Sequence, residues 1–310
     1  MYTTGKEGRT LKASMKKHPN HRSTSIERLI TEVLAIEAEQ AQEAGALGFM
    51  ARAMIQATLP HRKVDGPVFE RRNGAFTLTL MAPPKTGLPY GTVPRLLLSW
   101  LTTEAVRTRE RELVLGDSMS GFMRELGLVP TGGRWGSITR LKDQTTRLFS
   151  STISAIREDG TQTALLNRSI ADSATLWWDP QAPDQAGLWE SKVTLSEPFF
   201  REVIEHPVPI DMRALKALKR SPLAIDIYCW LTYRMSYLSR PTEIPWAALA
   251  AQFGAEYGRL RDFKAAFLAE LRKVLAVYPD ARVNDGDIGL LLTPGRPHVR
   301  KAHKALPGSG

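Results

Sequence analysis

Cysteine is almost missing from this chain: of 310 residues only Cys229 carries a thiol. That excludes an intramolecular disulfide and a cysteine-rich zinc site. Cys229 lies in the apolar run 225–231, where it is expected to act as a small buried hydrophobe. Long hydrophobic runs are missing too; none reaches the ~18–20 apolar residues that would span a bilayer. The first nine residues lack the apolar centre of a secretory signal. A cytosolic protein with no membrane partner is the expectation.

The residue patterns of catalysis are also lacking. His18, His21, His61, His206, His298 and His303 provide no His-x-His pair beside a tyrosine, which a rolling-circle nickase would need. His206 precedes a proline at a predicted helix end and suits a capping or surface role. Glycines at 127–133 are spaced like a phosphate loop, but they follow a helix and come without lysine. No Gly-x-Ser-x-Gly elbow or HExxH occurs. Asp285 and Asp287 fall in a turn, where Asx chemistry accounts for them. We therefore expect no enzyme, no metal and no cofactor.

Charge of one sign is abundant, at +10 overall with a pI near 9.8. Its placement limits its meaning. Residues 1–25 hold six Lys and Arg against one Glu, and the last twenty hold four with no acid, so the body between carries about +1. The tails suit loose attraction to a polyanion. Recognition must come from the arrangement inside the body; the chain as a whole, at 43% hydrophobic and 24% charged residues, has an ordinary globular composition.

Along that body, a polar basic arm (1–25) precedes a helix expected over 26–44 behind Ser25, and a short helix over 49–59. Asn73-Gly74 between alternating runs predicts a hairpin over 68–81. Then follow a helix over 92–107, a strand at 112–115, a short helix over 118–126 closed by Gly127, and a turn containing Pro130 and Gly132-Gly133. A long helix over 135–158 and strands over 163–178 and 187–195 complete this half. The order repeats as a helix over 222–238, a strand at 242–244, a short helix over 245–253, a long helix over 257–277, and a hairpin over 281–292.

The two halves keep register. Trp100 and Trp230 each open a Trp-Leu-Thr triplet; Leu113 follows the first by 13 residues and Ile244 the second by 14. Leu126-Gly127 answers Phe253-Gly254. The reading is an α+β chain of two tandem winged-helix (helix-turn-helix) domains. Its expected boundaries are a flexible arm at 1–25, domains at 26–205 and 206–293, and a basic tail at 294–310. The competing reading is two unrelated α+β domains.

Each long helix is a candidate reading head. In the first, Ile138, Leu141, Thr145, Leu148 and Thr152 share one face, while Arg140, Asp143, Arg147, Ser151 and Ser154 lie opposite, with Arg134 at the start. In the second, Leu260, Phe263, Phe267, Leu271 and Val274 are expected to be buried, leaving Arg259, Arg261, Lys264 and Arg272 outward. The N-terminal part of such a helix meets base edges, so Arg259, Arg261 and Lys264 are placed at the double-stranded DNA, Lys264 on phosphate. The bland alternative is that each basic side chain only solvates its face.

The segments 87–108 (GLPYGTVPRLLLSWLTTEAVRT), 115–128 (LGDSMSGFMRELGL) and 131–149 (TGGRWGSITRLKDQTTRLF) resemble the plasmid-encoded RepA replication initiators of Gram-negative broad-host-range plasmids. The likeness is good over 85–200 and looser to about 290. It implies a bacterial cytoplasmic protein working on plasmid DNA, which binds origin iterons and opens the adjoining duplex. It also implies recruitment of the host replication initiator and replicative helicase, and a homodimer in equilibrium with monomer. Carried onto this chain, residues 132–147 become the DNA-facing segment of the first domain, and 259–272 that of the second. A transcriptional repressor with the same two heads is the alternative; a DNA-nicking enzyme is disfavoured.

Overall fold

The structure is a computed structural model that describes residues 41, 43–158, 163–176, 191–254 and 257–299. The basic arm and residues 300–310 lie outside the described residues, as does the helix expected over 26–44 apart from 41, 43 and 44.

Strand β1 (Leu47–Ala51) and helix α1 (Arg52–Gln56) replace the single helix expected over 49–59. A distant partner overrides the local pattern: β1 pairs antiparallel with β9 (Pro207–Asp211). Gly48 permits the approach, since a Cβ there would sit 2.4 Å from the sulfur of Met212. The hairpin forms as expected from β2 (Val68–Asn73) and β3 (Phe76–Met81), turning on Gly74 at φ +59.

Helix α2 (Thr92–Thr108) leads to β4 (Glu112–Val114) and then to α3 (Met119–Glu125), whose first turn is capped where the Ser118 side chain accepts from Gly121 N–H. Gly127, at φ +72, ends it. Helix α4 (Ser137–Phe149) is shorter than the 135–158 expected, because the chain becomes β5 (Thr152–Glu158). Thr152 therefore leaves the helical face, and Ser151 and Ser154 leave the opposite one. The 3–4 spacing continues through Thr152 only by chance; Ile153 and Ala155 are buried with strand alternation opposite Leu80 and Leu78 of β3.

The run 163–178 divides at buried Ile170 into β6 (Thr163–Ser169), which joins β5, and β7 (Ala171–Thr175), which joins β8 (Lys192–Leu195). Helices α5 (Glu197–Glu205) and α6 (Met212–Ala217) flank β9, and His206 is the C-cap of α5. The second half follows with α7 (Pro222–Met235), β10 (Thr242–Pro245), α8 (Trp246–Phe253), α9 (Leu260–Val277), β11 (Arg282–Asp285) and β12 (Gly289–Thr293).

Two sheets share one plan. Their strand orders are β4-β8-β7 and β10-β12-β11, so in each half the strand between the opening helices pairs with the last strand of a later hairpin. The first half alone inserts β5 and β6, which extend the early hairpin into the sheet β2-β3-β5-β6. The paired tryptophans take matching places. Trp100 packs edge-on against Phe122 at 4.9 Å, and Trp230 against Phe253 at 5.6 Å. One continuous apolar core runs from Met50 to Leu292 across both halves and includes Cys229, whose burial pushes its thiol pKa up. The architecture is mixed α+β.

Candidate nucleic-acid interface

The turn before α4 is a closed hydrogen-bonded unit. The Thr131 and Ser137 hydroxyls cap each other's segments: Thr131 N–H donates to Ser137 Oγ at 2.9 Å, and Ser137 N–H to Thr131 Oγ1 at 2.9 Å. Ser137 Oγ donates to the Val129 carbonyl at 2.6 Å, and Thr139 Oγ1 to that of Gly133 at 3.0 Å. Gly133 holds φ +87, and a Cβ on Gly136 would lie 2.2 Å from the Thr131 carbonyl oxygen. Folded this way, the turn points Arg134 and Trp135 into solvent; Trp135 is 83% exposed. The Arg134 guanidinium sits over its ring, 5.2 Å from the centroid.

Beside this turn runs an open groove. Four chain segments line it: residues 61–63, residues 90–93 at the start of α2, the start of α4, and the approach to α7 at Arg220. Arg62, Lys63, Arg134, Arg140 and Arg220 contribute cations, and all five are exposed. The single acid among the described lining residues, Asp143, is engaged by Arg147 Nε at 2.8 and 2.9 Å. The field along the groove is thus positive, which suits a phosphate backbone.

The second head is built differently. Arg259 is the N-cap of α9, and its Nε donates to Asp262 Oδ2 at 2.6 Å; Arg261 lies 3.6 Å from the same carboxylate. Both stay well exposed, at 63% and 75% of their side chains. Lys264 turns inward instead. Its Nζ donates to the Gly286 carbonyl at 2.9 Å while lying over the Trp246 ring, and Trp246 Nε1 donates to that carbonyl at 2.9 Å. Lys264 therefore ties α9 to the tip of the β11–β12 hairpin.

Of the residues singled out from sequence, Arg134 and Arg140 come together in the groove, and Arg259 and Arg261 at the start of α9. Arg147 does not join them: its side chain is 16% exposed, paired to Asp143 and stacked over Tyr90. Arg272 is exposed but lies 11 residues beyond Arg261, about 16 Å along the helix. Leu260, expected to be buried, is 48% exposed because it begins the helix one turn ahead of the first core residue, Phe263. Sequence reading missed Arg62, Lys63, Arg220 and Trp135. The run His61-Arg62-Lys63 after Pro60 was a visible signal; the exposure of Trp135 was not.

A family model described as plasmid encoded RepA protein matches residues 88–246, which contain α2, α3, α4 and α7 and the cationic turn. The chain belongs to the plasmid-encoded RepA family of replication initiators. Among curated proteins none matches it. Among solved structures, a crystal structure of domains 2 and 3 of RctB superposes with TM-score 0.52 at 12% identity, covering 80% of this chain and 96% of the other. That likeness speaks for the fold. A second RctB structure of domains 2–3 gives TM-score 0.47 at 11% identity over 77% of this chain and 93% of that one.

For a RepA-family chain, the remaining inventory is short. Among the described residues no group of three or more His, Cys, Asp or Glu could hold a metal ion. No described helix is long and apolar enough to cross a membrane.

Proposed function

We propose that this RepA-family protein starts plasmid replication as a tandem winged-helix binder of double-stranded DNA, domain 26–205 supplying one head and 206–293 the other. The observation that carries the reading is the repeated plan: each half sets an exposed arginine pair at the start of its long helix, behind a short helix and beside a three-stranded sheet. Arg134 and Arg140 serve the first head, Arg259 and Arg261 the second. Arg147 and Lys264 hold their heads in shape, and Arg272 reaches backbone at most. The sites are origin iterons. Binding opens the neighbouring duplex, and the host initiator and replicative helicase are recruited there, with a dimer–monomer equilibrium setting how much protein is competent. The protein works in the bacterial cytoplasm and performs no bond-breaking chemistry.

Footprinting of the purified full chain on DNA from the neighbourhood of its own gene tests this. Protection of a direct-repeat array of ~20 bp units, about two helical turns each, is the expected result. Protection of a lone inverted repeat instead favours a repressor. Reproducible Mg²⁺-dependent strand cleavage of supercoiled origin DNA overturns the non-enzymatic part.

A further inference from the structure

Trp135 stands apart from the other described tryptophans. Trp100, Trp230 and Trp246 are 9%, 4% and 2% exposed, whereas Trp135 is 83% exposed. Burying an indole removes a large apolar area from water, so leaving one in solvent forgoes stabilisation that the fold takes elsewhere. Nor is the ring on a loose loop: the Thr131–Ser137 hydroxyl pair, the Gly136 N–H to Gly133 bond at 3.0 Å and the Gly133 φ fix the turn that carries it. The side chain is presented, with Arg134 stacked on it.

The surroundings decide what it is presented to. An apolar partner surface would meet apolar neighbours; here the neighbours are Arg62, Lys63, Arg134, Arg140 and Arg220, drawn from three separate chain segments around one groove. The ligand must therefore offer a flat π-face for the indole and negative charge on more than one side of it. A nucleotide chain has both. In an intact duplex the base faces are covered by their neighbours, so the face that Trp135 meets belongs to a base out of the stack.

We infer that the groove is a nucleobase-stacking site, in which Trp135 takes the face of an unstacked base while the surrounding cations hold the flanking phosphates. This rests on the DNA-binding reading above and adds a function to its first head. That head grips DNA whose bases have left the stack, in addition to reading a closed duplex. The base could come from a single strand or from a step of duplex unstacked by the indole itself; the chemistry at the ring is the same.

The test uses the full chain with three labelled probes of equal length: a single strand, a closed duplex, and a duplex with a central unpaired bubble. Trp135→Ala should weaken single-strand and bubble binding roughly tenfold or more, as losing an aromatic stack does, with an unchanged melting temperature because the side chain is exposed. Trp135→Phe should restore most of it. Loss confined to those two probes assigns the base to open DNA, and an equal loss on closed duplex assigns it to a step unstacked by the indole. If Trp135→Ala binds all three as the parent does, or if Trp135→Phe rescues nothing, the inference is overturned while the DNA-binding reading stands. If the parent protein binds none of the probes nor its own origin DNA, the reading beneath it fails as well.

Discussion

Arg95 of α2 and Asp226 of α7 meet side by side in the buried seam between the two halves, Nε donating to Oδ1 at 2.7 Å and Nη2 to Oδ2 at 2.7 Å. The same guanidinium donates to the carbonyls of Leu59 at 2.7 Å, Pro60 at 3.1 Å and Gly91 at 2.6 Å. It thereby fixes the start of the segment that carries Arg62 and Lys63 into the groove. His61 completes the cluster, 2.9 Å from Asp226 Oδ2. An ionised carboxylate only accepts, so the ring donates from Nε2.

Breaking this pair should be costly because it strands a buried charge. Arg95→Met is expected to lose ~3–5 kcal/mol of stability in urea unfolding and to weaken DNA binding through the loosened segment. The double variant Arg95→Met/Asp226→Leu should recover a large part of the stability. A single variant within 1 kcal/mol of the parent would show that the seam is held by apolar packing alone.

Acid should weaken the fold first through two largely buried histidines. Burial lowers the pKa of His61, although Asp226 beside it pulls the other way, and burial likewise lowers that of His298. His298 Nδ1 lies 2.8 Å from the Tyr228 hydroxyl, and its neighbours include Asp211, Arg213 and Asp280. With folded-state values below the ordinary ~6.5, the unfolded chain takes up protons first. The stability these rings contribute is complete above about pH 6.5 and declines as pH falls towards their folded-state values. Melting temperature measured from pH 8 to 5.5 should drop below the upper limb, and His61→Asn/His298→Asn should flatten that drop. An unchanged slope in the double variant would assign the drop to other groups.

At a lower pH a second loss should follow. Burial alone would raise the Asp226 pKa, but Arg95 and His61 outweigh it and hold the carboxyl below its usual range. Its share of stability is present above the ordinary aspartate value of ~3.9 and disappears as pH falls through the folded-state one. Asp226→Asn should remove this second step from a pH-dependent unfolding curve.

The turn before α4 makes a sharper case. Gly136→Ala places a methyl on the Thr131 and Gly132 carbonyls, and should cost on the order of 2 kcal/mol while lowering DNA affinity by moving Arg134. Ser137→Ala should cost about 1 kcal/mol. Calorimetry and fluorescence anisotropy on one preparation decide it; unaltered affinity in Gly136→Ala would show that the turn's shape is irrelevant to binding.

Arg261 and Lys264, three residues apart on one helix, should separate cleanly. Arg261→Ala is expected to leave melting unchanged and weaken specific binding by ~1–3 kcal/mol. Lys264→Met should lower the melting temperature, because it removes the tie to Gly286. Equal losses for Arg261→Ala on specific and random DNA would reassign that residue to phosphate.

Local chemistry alone set much of this molecule. Asn73-Gly74, Gly127 and the paired Trp-Leu-Thr triplets were legible because a turn, a helix stop or a periodic face is written within a few residues, and the family likeness of 87–149 was legible in the same way. Partners far apart in the chain decided the rest. The start of the helix predicted from residue 49 became strand because β9, some 160 residues on, supplied its hydrogen bonds. Thr152 and Ile153 followed β3 rather than the helical spacing before them. Lys264 and Arg147 read as outward cations until Gly286, Asp143 and Tyr90 were placed beside them. Trp135 read as part of a helix end, and only the folded turn left it in water, because burial depends on which segments meet and no stretch of sequence contains that by itself.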